Sequence, residues 1–134
     1  MTTFTQLVTA VSGMSVTGVT RQLSYTPNSI STADCPLSFP RLPGGGKPEI
    51  VSTCFASGRT KSIDLVVVID PAGQNTTDAN FAATVAMADN LETAVSSLSF
   101  SGHRLTYAIS MDTAVNTDNT GYWAVVLTVT IDKL

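Results

Sequence analysis

The sequence predicts a single α+β domain, residues 1–134: a mainly antiparallel sheet of about four to five strands with two helices packed on one face. Three observations predict it. A length of 134 residues fits one domain, since domains cluster near ~100–150 residues. Apolar residues alternate with period two in several stretches and step by three and four in two others. The strand-like stretches run in pairs broken by the helical ones, an order that builds antiparallel hairpins with helices on a face.

The elements follow in order. Phe4, Leu7, Val8 and Val11 recur at helical spacing, Thr3 and Gln6 form a capping box, and Gly13 stops the pattern, so a short amphipathic helix opens the chain. From Val19, the positions Val19, Leu23 and Tyr25 alternate with Thr20, Gln22 and Ser24, a strand interrupted on its apolar side by Arg21. Residues 26–48 hold all but one of the six prolines and the run Gly44-Gly45-Gly46. Neither a helix nor a central strand is expected to persist there, which leaves a long Pro/Gly-rich loop. Loops of that length commonly carry function, and Ile30, Leu37, Phe39 and Leu42 predict that this one packs against its own domain or a neighbour.

Glu49–Phe55 and Thr60–Ile69 read as two strands joined around Ala56-Ser57-Gly58-Arg59. In the second, Ile63, Leu65, Val67 and Ile69 share one face while Val66 and Val68 make the other partly apolar, which predicts a central strand covered on both sides at one end at least. Thr77 or Asp78 can cap a helix of about residues 78–98 whose apolar positions are Phe81, Val85, Ala88, Leu91, Val95 and Leu98. His103–Ser110 alternates as a penultimate strand, the polar stretch Met111–Thr120 reads as a hairpin loop, and Tyr122–Asp132 is the closing strand.

Composition narrows the function. Charged residues make up only 13%, about half the usual share, so copies of the chain repel one another little and self-association is permitted. Seven scattered basic residues and a net charge of −3 leave no basic stripe for a run of phosphates, which argues against sequence-specific nucleic-acid binding. The longest apolar runs, Leu65–Ile69 and Trp123–Leu127, fall far short of the ~20 residues that span a bilayer, and no membrane association is expected. The start Met1-Thr2-Thr3-Phe4 lacks the marks of a secretory signal, so synthesis and assembly in the cytoplasm are expected, with Cys35 and Cys54 as free thiols rather than a disulfide.

Catalytic signatures are sparse. The single histidine, His103, lies at a strand start with no nucleophile motif in the chain, and one His with two Cys matches no zinc spacing. Asp64 and Asp70 would sit ~20 Å apart along one strand, too far to cooperate. Gly44-Gly45-Gly46-Lys47 precedes Pro48 and a strand, unlike a P-loop, and reads as a flexible tip. Trp123 and Tyr122 can stack on a base or sugar, but in this strand pattern Trp123 reads as core. No enzyme, cofactor or metal is expected.

The order of segments resembles a family. An amphipathic first helix leads into Pro27-x-x-Ile30-x-x-Ala33-Asp34-Cys35-Pro36, a strand runs into Asp70-Pro71 and a polar turn before the long helix, and the chain closes on Gly121-Tyr122-Trp123-Ala124-Val125 and a long alternating strand. In this texture it resembles the tail-terminator and neck proteins of long-tailed bacteriophages, the family of the lambda tail terminator. The resemblance implies a virion structural protein assembled in the host cytoplasm. Its form would be a ring homo-oligomer, most simply hexameric, capping the head-proximal end of the tail tube and joining tube protein to neck and head-completion proteins. The lumen of such a ring could pass DNA, although the chain's low charge departs from the more ionic lumen loops of such rings. Loops supply the contacts in this family, which makes Ile30, Leu37, Phe39, Arg41, Leu42, Lys47, Asp112, Asn116 and Asp118 the candidate interface residues. A neck stopper, head-tail adaptor or minor capsid protein is the alternative reading, and a small ligand-binding module a more distant one.

Overall fold

A computed structural model describes residues 3–27, 36–41, 60–71, 78–115 and 121–134, without the side chains of 70–71, 78–81, 112–115 and 121–123. The expected strand Glu49–Phe55, its turn, the Gly44–Lys47 tip and both cysteines lie outside these residues. The elements are α1 (Phe4–Ser12), β1 (Arg21–Gln22), β2 (Leu37–Arg41), β3 (Thr60–Pro71), α2 (Asp78–Val95), β4 (His103–Val115) and β5 (Gly121–Lys133). Five strands form one sheet in the order β1-β2-β3-β5-β4. Every pairing is antiparallel except β1 with β2. The fold is α+β, as the sequence predicts.

The first helix forms as its capping box dictates. The Gln6 amide donates to Thr3 Oγ1 at 3.1 Å and the Thr3 amide donates to Gln6 Oε1 at 2.9 Å, satisfying two backbone donors that a helix start otherwise leaves open. Leu7 and Val11 point into the sheet. Phe4 meets β3 differently: the ammonium of the buried Lys61 stands 5.5 Å from its ring centroid, a cation–π contact that spares the long side chain an apolar end point.

Both helices pack on one face, where Leu7, Val11, Leu91 and Val95 close over Ile63, Leu65, Val67, Val125, Leu127, Val129 and Ile131. These strand residues are the odd-numbered positions of β3 and β5, one face of the pleat. On the opposite face β3 divides lengthwise. Val66 and Val68 join Leu37, Phe39, Ala124 and Val126 in a second buried apolar cluster. The other half is a polar ladder of directly opposed pairs, with Thr60 donating to Asp132 at 2.6 Å, Ser62 and Thr130 hydroxyls at 2.8 Å, and Thr128 donating to Asp64 at 2.7 Å. The central position of β3 and its covering on both sides at one end agree with the sequence pattern.

Several expectations give way. The segment 26–48 is not all loop, because β2 lies inside it and carries Pro40. Ser38 O accepts from the Leu23 amide and Pro36 O from the Thr20 amide, so even positions of β2 face β1 and the missing Pro40 N–H costs no bond to β3. The strand expected from Val19 to Tyr25 contracts to Arg21–Gln22. β4 runs on to Val115, so the 111–120 hairpin loop is shorter than expected. Helix α2 ends at Val95 rather than near 98, and its stripe is offset: Thr84 and Met87 are buried while Val85 is 46% exposed.

Candidate protein-interaction surface

Helix α2 packs on β3, β5 and β4, but covers β4 incompletely. The consequence shows in β4's helix-side residues: Leu105 and Ile109 are half-buried, but Tyr107 is 43% and Met111 45% exposed. Val85 on α2 is exposed beside them. Val85, Ala88, Ile109 and Met111 line an open groove between α2 and β4, of about 210 Å3. Farther along the same seam the lining turns polar, with Asp89, Glu92, Thr93 and Ser96 facing Tyr107.

The rim of this groove is, among the described residues, an open sheet edge. β4 is 13 residues long and stands last in the sheet, with β5 as its one neighbour among the described residues. Gly102 O accepts from the Leu134 amide at 2.9 Å, so even-numbered positions in this strand turn their polar backbone groups toward β5. By the alternation of an antiparallel ladder, the N–H and C=O groups of Leu105, Tyr107, Ile109 and Met111 point away from the sheet. Edges of soluble sheets are ordinarily guarded by Lys, Pro, bulges or inward charges. From Leu105 to Met111 the strand has no charge and no proline, and its register against β5 is unbroken.

Gly102 sets the entry to this strand. Its φ of +74° is a left-handed value that glycine adopts without penalty, and it turns the chain from α2 into β4. His103 follows, its Nδ1 2.9 Å from Ser101 O and its Nε2 buried without a hydrogen-bond partner, a position at the core's edge. Asp64 is held by Thr128 and by Arg41, whose Nη2 donates to Oδ2 at 3.2 Å.

The candidate interface residues are scattered by the fold. Leu37 and Phe39 pack inside the chain, in the second apolar cluster, so the proline segment meets its own domain at these two positions. Arg41 ends β2 against Asp64. Asp112 belongs to β4, not to a loop. Ile30, Leu42, Lys47, Asn116 and Asp118 lie outside the described residues. The surface built by Val85, Tyr107, Ile109 and Met111 was not legible as such: Val85 falls on the apolar stripe of the helix and Tyr107 on the alternating pattern of the strand, which mark a face but not its exposure. The one sequence signal for it is the uncharged run 105–111.

Among the described residues no three His, Cys, Asp or Glu side chains are grouped to hold a metal ion, and no helix is long and apolar enough to cross a membrane. No family model and no curated protein matches the sequence.

Proposed function

We propose that this chain is a virion structural subunit of a long-tailed bacteriophage, a tail terminator whose copies form a ring at the head-proximal end of the tail tube. The observation that carries the reading is the uncharged 105–111 stretch of the β4 edge, which among the described residues has β5 as its one neighbouring strand, beside the apolar α2–β4 groove. An edge of that kind is a template for pairing with another chain, and an apolar strip beside it adds area that association removes from water. The sequence texture supplies the virion context, and an α+β sheet with both helices on one face is the architecture the resemblance implies. The partners on this reading are other copies of the chain, the tail tube protein and the neck.

Light scattering across a concentration series tests it. The mass is expected to rise toward a closed ring, with six subunits as the end point, and ring-shaped particles should appear by electron microscopy. A monomer at every concentration, still absent from the tube end in sections of intact particles, overturns it.

A further inference from the structure

The β4 edge matches itself. We infer that its occupant in the free protein is β4 of a second copy, paired antiparallel about a two-fold axis at Ala108, so that two sheets join into one. The inference rests on reading the β4 face as an assembly surface, but not on the ring.

Three features select this partner and this register. Length comes first: the opposite margin of the sheet has a two-residue β1 and a five-residue β2, too short to match the 13 residues of β4. Hydrogen-bond phase comes second. The outward-facing groups belong to odd positions, so a partner strand must set odd opposite odd, and an axis at Ala108 does so, pairing 105 with 111 and 107 with 109. Side-chain character comes third. On the helix side this register sets the half-buried Leu105 across from the exposed Met111 and the exposed Tyr107 across from the half-buried Ile109, so each exposed apolar group on the edge meets an apolar partner. On the other face Thr106 meets Ser110, and Ala108 meets Ala108 at a close, non-hydrogen-bonded pair that small side chains fit. Position 104, an arginine, stands across from position 112, an aspartate, at both ends. Shifting the axis by one odd–odd step, to Tyr107 or Ile109, removes that charge match. A two-fold contact is self-complementary by construction, and this strand has the required pattern in its sequence.

The test is a cysteine placed on the axis. In full-length protein with Cys35→Ser and Cys54→Ser, A108C is expected to form a covalent dimer under mild oxidation, since the two Cβ atoms then face each other across the pair. T106C alone is expected to stay monomeric on a non-reducing gel, and T106C mixed with S110C to cross-link. Y107K puts two charges into the contact through an exposed side chain. It should raise the concentration needed for dimerisation about tenfold or more, because the axis makes the lost cross-strand pair count twice, while an unchanged melting curve shows the fold intact. A108C that fails to cross-link, or cross-links no better than T106C, overturns the pairing. The ring is judged separately: a mass of six subunits without an A108C cross-link removes the pair and keeps the ring, and a cross-linked species that never exceeds two subunits does the reverse.

Discussion

Asp64 is a buried carboxylate with two donors, the Arg41 guanidinium at 3.2 Å and the Thr128 hydroxyl at 2.7 Å. It stands where the second face of β3 changes from polar ladder to apolar cluster, so it anchors β2 to β3 and β3 to β5 at one point. Removing one partner of such a group leaves the others desolvated and unmatched, a larger loss than the bond itself. D64A is expected to lower stability by about 2–4 kcal/mol in urea denaturation. D64N, which keeps an acceptor for Thr128, should lose less than D64A. Equal losses would mean that the charge on Asp64 carries the whole contribution and that a neutral acceptor there adds nothing. In sequence this residue reads as one of a distant carboxylate pair. Its partners come from strands 23 and 64 positions away, and no local pattern encodes that meeting.

At the scale of elements, local signals were reliable where the chain's own backbone supplies the bonds. The capping box, the helix α1 and the alternation of β3 and β5 stand as read. Helix α1 has only nine residues, too few to persist alone in water, so its cap and its docking through Leu7 and Val11 act together. T3A should cost about 1 kcal/mol in global stability, and hydrogen exchange should show the loss first in the amides of the opening turn. The readings that failed concern which side of an element meets a neighbour. Pro40 argued against a strand, yet its imide turns to the side where β1 has ended. Val85 fits the helical stripe, but α2 is rotated so that Thr84 and Met87 face the sheet. Val19 to Tyr25 alternates as a strand should, but the register with β2 spans Arg21 and Gln22 alone among the described residues.

Over the whole molecule, β3 and β5 form the centre, and Leu127 sits opposite Leu65 on one side and Ile109 on the other with no exposed surface. L127A opens a cavity at the point where three strands and the main helix's core meet, and is expected to cost about 3–5 kcal/mol. That is a large fraction of a small domain's stability, and the urea midpoint should fall accordingly with a single transition retained. The sequence by itself determined the fold class, the two helices on one face, the two-sided burial of β3 and the long closing strand, because periodicity and capping are properties of consecutive residues. Only the tertiary structure decided the strand order, the placing of β4 at the margin of the described strands and the exposure of Tyr107, Met111 and Val85. A strand's own pattern says which face is apolar, but a neighbour far along the chain decides whether its edge is paired and how much of that face a helix covers.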